Sequence, residues 1–114
     1  MKLEVGMYVR TDNGIIGKIY EQIGDMFTYK DSNRNYITYG LSHNEILKSS
    51  YNIIDLIERF DLVNGHLVIC KMYENEKDIP TIVKCVGDYY FKEEDIKSIV
   101  TKEQMEQMAY KVVE

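Results

Sequence analysis

The sequence predicts a mainly-β protein with short helices, built as two tandem half-repeats (residues 1–50 and 51–114) packed into one compact unit. Three observations point there. Asn-Gly turn signals fall between short apolar runs rich in Val, Ile and Tyr, the mark of β-hairpins. The tetrapeptide KIYE at 18–21 returns as KMYE at 71–74. The segments around these two marks follow in the same order, and an internal repeat decides the whole architecture.

In the first half LEVGMYV (3–9) is a strand, DNG (12–14) a turn and IIGKIYE (15–21) the returning strand. DMFTYKDSNRNYITYGL (25–41) alternates into a second hairpin with a wholly polar, solvent-exposed loop at 30–35. LSHNEILKS (41–49) closes the unit. In the second half IERFDLV (57–63) answers 3–9, and a tighter NG (64–65) answers the first turn. HLVICKMYE (66–74) answers 15–21, and FKEEDIKS (91–98) answers 41–49. Pro80 stands where a strand begins, the place its missing N–H costs least. Gly87 and Asp88 turn between two further strands. YNIIDLIERF (51–60) is a short helix with Ile53, Ile54 and Ile57 on one face and Ser50 or Asn52 as its cap. TKEQMEQMAY (101–110) is a second helix, with Thr101 and Gln104 as a capping box and an apolar stripe of Met105, Met108 and Ala109. A last strand over 110–114 closes the sheet. Alternate strand residues share a face. Ile19 and Met72 are therefore expected in the core, with Lys18, Tyr20, Lys71 and Tyr73 on the opposite face. A unit of ~60 residues is marginal alone, so the halves are expected to pack together.

Gly6, Val9, Gly14, Gly17, Lys18 and Ile19, within VGMYVRTDNGIIGKI (5–19), resemble the opening of small SH3-like barrels of the KOW type. The resemblance implies two SH3-like β-barrel half-repeats. Over most of the chain, KLEVGMYVRT, NIIDLIE, VNG and IVTKEQMEQMAYKV resemble small phage and prophage proteins of Gram-positive, clostridial-type bacteria. That group reads VGDYVNG in the second half. This chain reads RFDLVNG at 59–65, with Phe60 in place of the glycine. The resemblance implies a phage-encoded accessory protein and transfers no catalytic residue.

Composition narrows the function. The chain is 45% hydrophobic and 29% charged, with a net charge of −5, as suits a soluble globular protein. Its first 57 residues carry 6 basic and 7 acidic groups and the rest carry 8 and 12. An acidic chain without a basic run argues against general nucleic-acid binding and fits a basic protein partner. No apolar run reaches the ~20 residues of a membrane span, and the N-terminus has no signal-peptide pattern. A cytoplasmic protein, in the host cell if phage-encoded, is expected. Cys70 and Cys85, each in an apolar strand-like run, read as reduced, buried thiols.

No catalytic, metal or cofactor set is evident. His43 and His66 are the only imidazoles. His66 and Cys70, four apart in a strand, would share a face but make no metal set. Gly14 and Gly17 belong to a hairpin, because a P-loop opens a helix. The partner-binding candidates are aromatic and acidic. Ten tyrosines and no tryptophan give rigid amphipathic contact area, which binding surfaces collect. Tyr29, Tyr36 and Tyr39 flank the polar loop, which carries Arg34. Glu74, Glu76 and Asp78 follow the strand at 66–74. Tyr89 and Tyr90 adjoin the acidic run Glu93, Glu94 and Asp95, which reads first as a solvated face or the first turn of a helix and, as the functional alternative, as an acidic patch for a basic partner. Taken with what the resemblance to phage proteins implies, these residues lead to the expectation of a non-enzymatic, anti-CRISPR-like inhibitor that blocks a host defence protein by protein–protein contact. One alternative is an oligomeric sponge that sequesters a nucleotide signal with Arg10, Lys18, Arg34 and aromatic side chains. The other is a nucleic-acid-binding SH3-like module.

Overall fold

The computed structural model describes residues 2–24, 26–31, 37–41, 45–74 and 78–108, with 31 and 37–41 described by backbone alone. The chain is mainly β, in two antiparallel sheets. The first holds β1 (Tyr8–Thr11), β2 (Ile16–Ile23), β3 (Met26–Asp31), β4 (Ile37–Leu41) and β5 (Ile46–Ser50), in the order β4-β3-β2-β1-β5. The second holds β6 (Leu62–Val63), β7 (His66–Met72), β8 (Ile82–Cys85), β9 (Tyr89–Lys92) and β10 (Ile99–Val100), in the order β10-β6-β7-β8-β9. Each is a four-strand meander whose fifth strand returns beside the first. Arg34, Tyr36, His43, Glu76 and the expected strand at 110–114 lie outside the described residues.

The two sheets share details as well as order. The Gly6 N–H donates to Ile19 O at 2.8 Å, and the Phe60 N–H donates to Val68 O at 3.0 Å. The Ile19 N–H donates to Met7 O, and the Val68 N–H to Asp61 O, both at 2.8 Å. One step further on, each returning strand has a bulge, after Ile19 and after Val68. Ile19 and Val68 therefore hold matching places, and KIYE and KMYE do not. The KMYE mark sits four residues further along its strand. The bulge at Ile69 also inverts the phase beyond it, so Lys71 pairs with buried Val83 and Met72 with Ile82. Met72 is 41% exposed and not in the core, whereas Ile19 is buried as expected. Cys85 is buried as expected but Cys70 is exposed: opposite Lys84, it lies on the outer face, away from His66, which pairs with Val63.

Each sheet has its own apolar cluster. Leu3, Val9, Ile19, Phe27, Tyr29 and Ile46 fill the first. Val63, Val68, Val83, Cys85 and Ile99 fill the second, joined by Ile54, Leu56, Ile57 and Ile16 from the first hairpin. The helix expected over 51–60 is only a 3-10 turn, Ile53–Leu56. Asn52 makes no side-chain cap, and the Ile53 N–H donates instead to Glu93 Oε1 at 2.9 Å. The acids at 93–95 likewise form a 3-10 turn and begin no α-helix. The C-terminal helix α1 runs Lys102–Met108. Its capping box is present: Thr101 N donates to Gln104 Oε1 at 3.1 Å, and Gln104 N to Thr101 Oγ1 at 3.3 Å. Of its apolar stripe, Met105 is half-buried, Met108 is exposed and Ala109 lies outside the described residues.

The hairpin turns differ. Asn64 (φ 52°) and Gly65 (φ 83°) both take the left-handed region, as a two-residue type I′ turn requires. The first turn is wider, and Gly14 (φ 80°) closes it by donating its N–H to Thr11 O at 3.0 Å. No helix among the described residues is long and apolar enough to cross a membrane.

Candidate functional site

An open cleft of about 390 Å³ lies where β7 ends, β8 begins and β9 ends. Glu74, just beyond β7, meets Glu93 and Glu94 from the 3-10 turn after β9. Ile79, Pro80 and Thr81 form the approach to β8, while Lys92 and Asn52 complete the lining. Three carboxylates thus face one cationic side chain. Glu93 has one oxygen committed to the Ile53 N–H, so it positions the segment between the sheets as well as lining the cleft. Glu74 and Glu94 are exposed and carry no such duty. The Thr81 hydroxyl is buried without a hydrogen-bond partner among the described residues.

From Lys92 the strand β9 runs back to Tyr89. Its rings fall on alternate faces. Tyr89 stacks on His66 with centroids 3.8 Å apart, and Phe91 lies 5.8 Å from the same imidazole. Tyr90 points to the other face, with Lys84 Nζ 5.9 Å from its ring centre. Tyr89 and Tyr90 are 47% and 51% exposed. The outer face shared by Tyr90 continues over exposed Cys70 and Met72.

A second polar centre lies at the junction of the sheets and was not anticipated. Arg10 is fully buried. It donates to both oxygens of buried Asp61, at 2.5 and 3.0 Å, to Leu56 O at 3.0 Å and to Glu103 Oε2 at 2.6 Å. Glu58 Oε2 lies 3.5 Å from its Nε. Asp61 also accepts the Glu58 and Lys102 N–H groups at 2.8 and 2.9 Å, and Lys102 Nζ reaches Glu58 at 2.8 Å. Burial opposes the charge on Arg10, but the Asp61 and Glu103 carboxylates outweigh it and push the guanidinium further up. Burial likewise opposes the Glu58 charge, yet Lys102 and Arg10 hold that carboxyl below the usual range. At the rim of the junction burial, and then Lys48 beside it, push the Lys71 ammonium down. Both terminal nitrogens of Arg10 donate to protein oxygen, and the buried Nε makes only the Glu58 ion pair and no hydrogen bond, so this centre is a clamp between units. It also removes Arg10 from any nucleotide-binding set, because its side chain has no access to solvent.

The structure gathers some of the expected contact residues and separates others. Glu74, Glu93 and Glu94 share the cleft. Asp78 and Asp95 are exposed nearby in sequence, and Tyr89 and Tyr90 stand on the adjoining strand. Tyr29 is corrected: at 4% exposure it belongs to the first core, packed with Phe27 and Ile19. Tyr29 pairs with buried Ile19 and, two residues from buried Phe27, shares its face; that i, i+2 spacing in FTY is the signal that could have placed Tyr29 inside. Tyr39 falls within β4, where only the backbone is described. Among the described residues no group of three or more His, Cys, Asp or Glu is placed to hold a metal ion. Burial pushes the Cys85 thiol up, which disfavours its thiolate.

Comparison with known proteins finds no matching family model, no matching curated protein and no matching solved structure.

Proposed function

We propose that this chain is a non-enzymatic binding protein that recognises a basic surface on another protein through the cleft at the end of the second sheet. The biological role that fits is the phage-type, anti-CRISPR-like one implied by the sequence resemblance, in which a host defence protein loses access to its nucleic acid. The two sheets are read as two copies of one SH3-like unit, with the second supplying the contact surface. The observation that carries the reading is the convergence of Glu74, Glu93 and Glu94 on one open cleft, beside exposed aromatic rings. Carboxylates arranged this way attract Lys and Arg side chains and speed encounter with a positive surface. Exposed tyrosines add contact area at little entropic cost.

Charge reversal tests this directly. Glu93 should be spared, because its carboxylate also holds the Ile53 N–H. The variant to make is Glu74→Lys with Glu94→Lys and Asp95→Lys. It should keep the wild-type circular dichroism spectrum and thermal midpoint. Its inhibition of DNA cleavage by an RNA-guided nuclease from a clostridial host should fall by at least ~10-fold, the scale of one or two desolvated ion pairs. Full inhibition by the triple variant, or none by wild type, rejects the reading.

A further inference from the structure

The free edge of β9 extends this cleft into a longer recognition surface. β9 is the last strand of its sheet and pairs only with β8. The pairing is regular over all four positions, from Ile82↔Lys92 to Cys85↔Tyr89. Its other side has no backbone partner among the described residues. Natural sheets blunt such edges with bulges, prolines, inward charges or a covering segment. β9 has no bulge and no proline. The corresponding edge of the first sheet, β4, has a register break against β3 between Phe27 and Tyr29. The only charge on β9 is Lys92, at its last position and within the acidic cleft. Exposed rings flank the edge on both faces, Tyr89 on one and Tyr90 on the other.

We propose that β9 captures an extended peptide as an added antiparallel strand, whose N-terminal basic residues enter the cleft at Glu74 and Glu94. This rests on the cleft reading above and specifies the form of the partner. Every strand pair in both sheets is antiparallel. A strand added in that sense begins beside Lys92 and runs towards Tyr89. Its first residues therefore reach the carboxylates, and cationic side chains there meet opposite charge. Main-chain hydrogen bonds to β9 supply sequence-tolerant affinity, and alternate side chains pack on Tyr89 and Tyr90.

The probe is a fluorescein-labelled peptide of two arginines followed by alternating valine and threonine, read by fluorescence anisotropy at low ionic strength. Two derivatives carry backbone N-methyl groups in one or the other alternating phase, and a third has its arginines at the C-terminus. N-methylation in the phase facing β9 should weaken binding by ~10-fold or more, about two backbone hydrogen bonds, while the other phase changes it under ~3-fold. Moving the arginines should cost about 10-fold. Equal weakening in both phases, or no binding by the parent peptide, overturns the proposal. The variant Glu74→Gln with Glu94→Gln separates the two readings. If it binds the parent like wild type while the N-methyl phases still differ, the edge stands and the cleft does not. If it loses binding but the phases are equivalent, the cleft stands and edge capture falls.

Discussion

The two sheets follow the same route with the same pair of opening hydrogen bonds, yet they treat their second faces differently. In the first, β1 is covered on both sides. Val9 enters its own core, while Arg10 on the other face, with Ile16 from β2, meets residues 54–61 and α1. In the second, the outer residues Leu67, Cys70, Met72 and Tyr90 are left exposed. The trailing segments explain the asymmetry. Residues 53–57 follow the first sheet and complete the second core. The helix α1 follows the second sheet and packs back on the first hairpin, through Thr101 Oγ1 on Gly14 O at 2.6 Å and Gln107 Nε2 on Asn13 O at 3.1 Å. The first sheet has become scaffold on both faces around β1, although Tyr20, Ile23, Met26 and Leu47 further out stay exposed, and the second keeps a face and an edge for contact.

Substitutions at matching positions should expose this difference. The largest effect is expected at Arg10, whose place is taken by Asn64 in the second sheet. Arg10→Met leaves Asp61 buried and uncompensated, and urea unfolding should show a loss of about 3–5 kcal/mol. Asn64→Ala removes hydrogen bonds to Lys97 N, Ser98 N and Asp95 O near the surface and puts alanine in the left-handed region, and should cost about 2 kcal/mol. Similar losses for the two would mean that the junction is no more demanding than a surface turn.

The hairpin glycines form the next pair. A Cβ at Gly14 would collide with Thr101 Oγ1 and sit 2.7 Å from Glu103 Cβ, whereas one at Gly65 meets nothing within 4 Å. Both have positive φ, so Gly65→Ala should cost about 1–2 kcal/mol from backbone strain alone. Gly14→Ala should cost at least ~2 kcal/mol more by displacing α1. Equal losses would show that α1 yields freely.

The junction should also be the acid-sensitive part. The folded-state pKa of Glu58 is depressed. Its contribution is present above the ordinary glutamate pKa and is lost as pH falls through the lower, folded value. Urea midpoints should therefore drop as pH falls below about 4.5, and Lys102→Met should flatten that drop. An unchanged slope in the variant would remove Lys102 as the cause.

The smallest effect is expected at the entry to each first strand. Gly6 has φ 97°, and Phe60 at the matching place has φ 76°, with Arg59 against its ring at 4.8 Å. Strain of about 1–2 kcal/mol at Phe60 is partly offset by ~0.5 kcal/mol from the ring contact and by glycine's greater chain entropy. Phe60→Gly should raise the thermal midpoint slightly, while Gly6→Ala lowers it. A lower midpoint for Phe60→Gly would mean that the Arg59–Phe60 contact outweighs the strain.

Much of this fold was legible because turns and caps are local. NG at 64–65, the Gly87-Asp88 turn and the Thr101–Gln104 box each announce themselves within four residues. Phe60 in a glycine's place was visible as a departure, and its left-handed backbone gives that departure a physical meaning. The register of β7 was not legible. A bulge is one unpaired residue, and no letter in VICKM marks it. The role of Arg10 was hidden for a different reason. An arginine in a strand reads as surface until Asp61, 51 positions away, and Glu103, 93 positions away, are brought to it. Of the cleft, the acids could be nominated singly. That Glu74 meets Glu94 depends on β7 and β9 flanking β8.

The span between Arg10 and Glu103 bears on biosynthesis. Chain emerging from a ribosome presents β1 long before either carboxylate exists, and Gly14 waits equally long for Thr101. The first sheet, although made first, cannot settle until nearly the last described residue has been added. Contacts that close such long loops also slow folding. The nascent first sheet should therefore stay open to proteases and chaperones until Glu103 has emerged, and both sheets should then complete together.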